Sequence, residues 1–460
     1  MSAAIRATAP TIDIGRVLDD GPYTGMQKLV VFMAALAIVM DGFDGQLIGF
    51  AIPSLIKEWG ITRGAFAPAV AAGLLGMAIG SACAGLFADR FGRRMAVIAS
   101  VFIFGAATCC IGFAPDVLAI AALRFVAGLG IGGALPSSTT MTAEFTPARR
   151  RTLAVTVTIV CYPLGGMLAG LFAAEVLPAY GWRGLFWIGG LFPIALSIAL
   201  FFLLPESPRF LARHSDRWPE LGKLLQRMSR PTSANTMYVD AAEQATEKRA
   251  GFTSLFETGR ARDTLAIWAA FFMCLLAVYS AFSWLPTMLA AEGLPPAVAG
   301  SGLTAYNLGG VFGPLLCAVA ITRFGSRWPL ALCAMGAAIS AFVLQGVDVS
   351  HNTRWLIFGI GVHGLFVNAV QSTMYALCAY VYPTAVRATG TASGLAFGRL
   401  GAILSAFAGA AVITLGGASA YLAMLGLAMV FVVVALLMVK RHIPGVGRAH
   451  GAGVKPAVAH

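Results

Sequence analysis

Apolar runs of about twenty residues recur along the chain, parted by short polar gaps. Twelve such runs lie near residues 28 to 52, 65 to 88, 95 to 114, 117 to 143, 152 to 177 and 183 to 204, then 264 to 290, 297 to 321, 328 to 347, 354 to 381, 388 to 415 and 419 to 440. At about 1.5 Å of rise per residue, each is long enough to cross roughly 30 Å of hydrocarbon as a helix. A membrane β-barrel would show short alternating segments, whereas these runs are continuous and rich in Gly, Ala and Leu. The pattern predicts an all-α membrane protein of twelve transmembrane helices in two six-helix, pseudo-symmetric halves.

One long polar stretch, Pro205 to Asp263, parts the halves and carries Trp218-Pro219, Arg230-Pro231 and charges at helix-like spacing. It is expected to be a partly helical cytoplasmic linker. The expected organisation is an N-terminal cytoplasmic segment 1–27, a helix bundle 28–204, the linker 205–263, a second bundle 264–440 and a cytoplasmic tail 441–460. Residues 1–27 have neither the apolar core nor the cleavage site of a signal peptide, so the first span is expected to be retained. The Gly-, Ala- and Val-rich tail after Ile443 is expected to be disordered.

Composition agrees: 58% of residues are hydrophobic and 11% charged, with mean hydropathy +0.80. The net charge of +12 does not point to nucleic acid, because the basic residues cluster in gaps at one end of the spans, at Asp89 to Arg94, Arg149 to Arg151, Arg209 to Lys248, Arg323 to Arg327, Arg387, and Lys440 with Arg441. The positive-inside rule then places both termini in the cytoplasm and the chain in a lipid bilayer. All eight cysteines lie in apolar segments without CxxC spacing or a His partner, so no metal and no disulfide is expected. Gly128-Leu129-Gly130-Ile131-Gly132-Gly133 satisfies GxGxxG, but it lies within an apolar helix and reads as a close-packing face. No Walker loop, catalytic triad or other cofactor-binding pattern is present, which argues against an enzyme.

Charge inside the apolar runs carries the chemistry. Asp41 and Asp44, three residues apart in the first run, share one helix face. A charge at the bilayer centre costs roughly 2.5 to 3.5 kcal/mol, so the default reading is a proton or ion relay. Arg124, near the start of span four, needs a partner. Counted at 1.5 Å per residue, Asp44 lies roughly 24 Å above the start of span one and Arg124 roughly 12 Å below the opposite face, nearly the same level. Asp41, Asp44 and Arg124 therefore form a candidate coupling set, in which movement of Arg124 would switch the proton affinity of the acids; a fixed ion pair that never titrates is the simpler reading.

Arg399 lies well inside span eleven between Gly398 and Gly401, with no acid in its own span. A planar guanidinium so placed suits a substrate carboxylate, which it grips with two charge-assisted hydrogen bonds. Polar and aromatic residues that could cradle a ring and its hydroxyl are Tyr279 and Trp284 in span seven, Tyr306 and Asn307 in span eight, and His363, Asn368 and Gln371 in span ten, although polar side chains also bridge helices. At the basic end, Asp89, Arg93, Arg94 and Glu144, with Gly85 and Arg387, form a candidate gate.

The halves echo one another. Asp89-Arg90-Phe91-Gly92-Arg93-Arg94 after span two matches Thr322-Arg323-Phe324-Gly325-Ser326-Arg327 after span eight, with Thr322 in place of the acid. Glu144-Phe145-Thr146-Pro147 after span four matches Tyr380-Val381-Tyr382-Pro383 after span ten. The run Gly85-Leu86-Phe87-Ala88-Asp89-Arg90-Phe91-Gly92-Arg93-Arg94 resembles the loop signature of the major facilitator superfamily, and the resemblance to that superfamily extends over nearly the whole chain. Asp41-Gly42-Phe43-Asp44, Tyr382-Pro383-Thr384 with Arg387-Ala388-Thr389-Gly390, and Gly398-Arg399-Leu400-Gly401 resemble its aromatic acid:proton symporters, bacterial carriers of 4-hydroxybenzoate and protocatechuate. The resemblance implies a monomeric, multi-pass inner-membrane importer of an aromatic carboxylate with protons. A proton-coupled sugar or other metabolite carrier on the same machinery is the alternative, and a membrane sensor that binds without transport is a reading from another class.

Overall fold

The computed structural model describes residues 11–232, 236–240, 255–257, 259–347 and 352–445. The tail beyond residue 445 and linker residues 241–254 lie outside them. Among the described residues, ten helices are long and apolar enough to cross a membrane. Span one is Gly25–Trp59, span two Arg63–Phe91, span three Arg93–Ile111 and span four Val117–Phe145. Span seven is Ala261–Ala291, span eight Pro296–Phe324, span nine Arg327–Leu344 and span ten Thr353–Val381.

The remaining two helices, Ala148–Leu203 and Thr384–Met438, have 56 and 55 residues, and at about 1.5 Å each would run past 80 Å if straight. Each breaks once, at Gly181 with φ 65° and at Gly417 with φ 61°. Positive φ is open to glycine at little cost, so the chain reverses there without a loop. Eight single crossings and two doubled ones give the twelve expected, with spans five and six, and eleven and twelve, joined at these glycines.

Glycine faces set how closely the helices pack. A Cβ on Gly76, Gly80, Gly128 or Gly132 would lie 2.2 Å from a carbonyl oxygen of the facing helix, so spans two and four touch backbone to backbone. Spans eight and ten repeat the arrangement, with Gly309 against Gly361 O and Gly364 against Tyr306 O. Spans one and five meet at Gly42 and Gly165, and spans seven and eleven at Gly401. The pairs recur with an offset of six, as two related halves require.

Between the halves, span one meets span seven where Gly49 faces Phe282 O, and span five meets span eight where Gly170 faces Thr304. Both contacts lie towards the end away from the linker. Large apolar side chains such as Leu118, Phe202 and Leu415 are more than three-quarters exposed. That outward apolar surface, with carboxylates inside, is the arrangement of a chain dissolved in lipid.

The linker end is braced by a small polar layer. Strand β1 (Thr11–Asp13) pairs in parallel with β2 (Met237–Val239), Thr11 opposite Met237, an addition to the all-helical expectation. Short helices Ile14–Asp20, Pro208–Arg213 and Trp218–Arg227 surround them. Arg209 pairs with Asp240 at 3.3 Å. Thr24 caps span one in a reciprocal box with Gln27, whose Nε2 donates to Phe145 O at 2.8 Å and fixes the start of span one to the end of span four.

Candidate functional site

Asp41 and Asp44 are 2% and 0% exposed, and Arg124 is 5% exposed. Both oxygens of Asp44, Oδ1 of Asp41, and Nε and Nη1 of Arg124 lack a hydrogen-bond partner among the described residues. Arg124 instead donates Nη2 to the carbonyl of Gly45 at 3.4 Å, within the same turn of span one. The expected triad is thus brought together without a closed ion pair: Arg124 is the cation that acts most strongly on Asp44, and Arg399, from the other half, the one that acts most strongly on Asp41. Each acid has its own arginine, one within the N-terminal half and one across the interface.

Arg399 sits where span eleven meets spans two and seven. Its Nη1 donates to Tyr279 Oη at 2.8 Å and also contacts Met77 Sδ, to which Tyr279 Oη itself donates at 3.3 Å. Its Nε is unpartnered among the described residues. The hydroxyls of Tyr279, Tyr375 and Tyr162 lie within electrostatic reach of it, as does Asp41. The guanidinium therefore keeps donor capacity for an incoming acceptor, beside aromatic rings.

Tyr162 in span five is a site residue that the sequence did not single out. Gly42 and Gly45 leave room for it: a Cβ on Gly42 would lie 1.9 Å from the Tyr162 carbonyl, and one on Gly45 3.2 Å from its Oη. Its side chain lies within electrostatic reach of Tyr279, Asp41, Arg399 and Arg124. Its ring is 6.0 Å from that of Phe282, which leads in turn to Tyr279 and Tyr306 at 5.7 and 5.9 Å. The only signal in the sequence was a tyrosine within an apolar run, before Pro163.

The other expected contact residues divide. Tyr279 and Tyr306 lie along this aromatic row, the latter fully buried. Asn307 is engaged elsewhere, in two bonds with Gln46. Asn368 donates to Gly364 O at 2.8 Å on its own helix, and Gln371 is half-buried further along it. His363 turns Nδ1 towards Ser340 Oγ and Ala337 O, both at 3.0 Å, and so bridges spans ten and nine. Trp284 is fully buried against Gly409 of span eleven. These last two pack helices and do not touch Arg399.

At the linker end Arg93 pairs with Asp89 at 2.7 Å and approaches Glu144 at 3.9 Å, while Arg213 reaches Asp89 at 3.9 Å. Ser207 Oγ donates to Glu144, and Arg94 Nη2 to Phe201 O. Glu206 Oε1 accepts the backbone N–H groups of Arg94 and Ser207 at 3.0 and 2.8 Å. Gly85 lines a cleft of about 280 Å³ beside Asp89, Ser137 and Arg213. Three of these contacts, Arg213 with Asp89, Ser207 with Glu144 and Glu206 with Arg94, tie the N-terminal half to the linker, whereas those of Arg93 and of Arg94 with Phe201 lie within that half. Arg387 is exposed and donates Nε to Tyr382 O at 3.4 Å, in its own half. Among the described residues no ion pair joins the halves at this end.

Comparison with known proteins adds the following. The Major Facilitator Superfamily profile matches residues 34–300 and again 267–459. The chain is 33% identical over 426 residues to a gallate transporter of Pseudomonas putida, covering 92% of each. It is 34% identical over 408 residues to the 4-hydroxybenzoate transporter PcaK of Acinetobacter baylyi, covering 88% of each. Among solved structures, the partially occluded inward-open xylose transporter XylE of E. coli superposes with a TM-score of 0.71 at 19% identity, over 91% of this chain and 99% of that one. The last likeness is one of fold.

Proposed function

The chain belongs to the Major Facilitator Superfamily, and from that premise we propose that it is a proton-coupled carrier that imports a small aromatic carboxylate across a bacterial inner membrane, both termini being cytoplasmic. It is a multi-pass membrane transporter and not an enzyme. The observation that carries the substrate reading is Arg399: a guanidinium at the junction of the halves, with an unpartnered Nε, bonded to Tyr279 and bordered by aromatic rings. Such a fork binds a carboxylate, and the rings suit the plane attached to it. The names of the gallate and 4-hydroxybenzoate carriers support the same class.

Coupling follows from competition for Arg399. Asp41 has that arginine as its principal counter-charge. A substrate carboxylate that takes the guanidinium withdraws it from Asp41, which is then neutralised by a proton, so substrate and proton bind together. Tyr162, within electrostatic reach of both Asp41 and Arg399, would then hydrogen-bond the bound carboxylate. Asp44 with Arg124 forms a second acid–arginine set one turn on. An anion entering a negative interior is opposed by about 2.3 kcal/mol per 100 mV, which one proton cancels and two reverse.

The test is uptake of radiolabelled 4-hydroxybenzoate into proteoliposomes under an inward proton gradient. The unmodified protein is expected to accumulate the label, Arg399→Ala to lose binding, and Asp41→Asn to bind without accumulating. No accumulation by the unmodified protein, across hydroxylated benzoates, would overturn the reading.

A further inference from the structure

The loop after span eight departs from its counterpart after span two at two points, Thr322 standing where Asp89 does and Ser326 where Arg93 does. In the first loop Asp89 holds the Arg93 guanidinium at 2.7 Å. In the second, Arg323 and Arg327 are exposed and enter no ion pair among the described residues. Asp263, at the same corner, is buried and accepts the backbone N–H of Lys440 at 2.8 Å.

Arg323 lies in the wall of a groove of about 770 Å³ between spans eight, nine and ten. The other walls are apolar, among them Leu316, Phe324, Trp328, Leu332 and Phe366. The first four of these are 58% to 71% exposed, so the groove opens on the outer flank, towards lipid. Along span eight it extends from Gly313 to Phe324. Those residues rise about 16 Å, close to half of the roughly 30 Å hydrocarbon core, so the groove has the depth of one leaflet.

We propose that this groove binds one anionic phospholipid of the leaflet on the linker side, an acyl chain along span eight and the phosphate between Arg323 and Arg327. Its length fits a chain confined to one leaflet. The cations lie at the end where headgroups lie, and basic pockets between spans on that side attract anionic lipid. Trp328 is amphipathic and stands at interface depth beside them. A zwitterionic lipid brings its own cation and gains less from two unpaired arginines. The start of the tail frames the mouth: Ile443 O accepts from Ser326 N at 2.8 Å, and Gly445 lines the groove, which brings the segment with Lys440 and Arg441 to the same corner. The inference is independent of what the carrier transports.

The test reconstitutes the full chain in phosphatidylcholine vesicles containing a minority of phosphatidylglycerol, extracts it in mild detergent and measures retained lipid by mass spectrometry. Phosphatidylglycerol is expected in roughly five- to thirtyfold excess over its share, the range one to two arginines at a charged surface provide. Arg323→Gln with Arg327→Gln should remove the excess. Leu316→Trp, which fills the groove and leaves both charges, should lose the retained lipid, and it decides the matter should the charge variant not stay monodisperse. An unmodified protein without excess, or either variant with the full excess, would overturn the proposal.

Discussion

Gln46 in span one and Asn307 in span eight exchange two hydrogen bonds, at 3.1 and 2.7 Å, with both side chains fully buried. The pair ties the halves together on the side away from the linker, near the contacts of Gly49 with Phe282 and Gly170 with Thr304. Alternating access requires such a contact to break when that end opens. Asn307→Ala leaves a buried amide unpaired, a cost of about 1 to 3 kcal/mol borne by the closed state alone. A cysteine introduced as Ser54→Cys, in the cleft at that end, should then react with a maleimide roughly five- to hundredfold faster. Gln46→Ala combined with Asn307→Ala should cost less than the sum, since neither amide is orphaned. Unchanged labelling would show that the pair holds nothing shut.

Two glycines of span one and span two should respond oppositely to the same change. A Cβ on Gly42 would meet the Tyr162 carbonyl at 1.9 Å, whereas one on Gly85 meets nothing within 4 Å. Gly42→Ala is expected to lower stability by about 1 to 3 kcal/mol through overpacking. Gly85→Ala should be neutral or stabilising by up to about 1 kcal/mol, from helix propensity. Thermal unfolding in detergent separates them, and transport lost from Gly85→Ala at undiminished stability would mark a gate.

The fold was legible because the solvent is lipid: apolar runs long enough to span it define the helices whatever their packing. What the runs hid was how they join, since Gly181 and Gly417 turn the chain without the polar loop that a gap in hydropathy reveals. Among site residues, Asp41, Asp44, Arg124 and Arg399 stood out because a charge in an apolar run has no ordinary reason to be there. Tyr162 and Gln46 did not, because neutral polar side chains in spans serve packing as readily as function. Their partners also lie far along the chain, Asn307 being 261 residues from Gln46. His363 shows the converse, a chemically suggestive residue spent on bridging spans nine and ten.

Glu206 should give the linker layer a pH dependence of definite sign. It is 3% exposed, and burial pushes its carboxyl above the ordinary glutamate range, with the backbone N–H groups of Arg94 and Ser207 drawing it partly back. A folded value above the unfolded one means that the folded chain holds the proton more tightly. The contribution is fully present below the unfolded value and is lost as pH rises through the folded one. Glu206→Gln keeps an acceptor oxygen and cannot titrate. Its thermal midpoint should therefore vary less with pH than that of the unmodified protein, whose midpoint should gain on it as pH falls. Parallel curves would assign the titration to another group.

Tyr162→Phe isolates a hydroxyl from a ring. The ring packs against Phe282, and the backbone of Tyr162 against Gly42, so the phenylalanine variant should fold and keep the aromatic row. What it loses is the donor near Asp41 on its own half and Arg399 on the other, the two groups that the proposed coupling links. A hydrogen bond to a charged group is worth about 1.5 to 3 kcal/mol, so substrate affinity should fall roughly ten- to hundredfold if the hydroxyl touches the carboxylate. Uphill accumulation should fall with it, and the pH dependence of the apparent KM, which the proposed coupling assigns to Asp41 with Asp44, Arg124 and Arg399 around it, should flatten. Tyr162→Ala should in addition lose stability. A phenylalanine variant with the unmodified KM at every pH would restrict Tyr162 to packing and leave Arg399 and Tyr279 to hold the carboxylate by themselves.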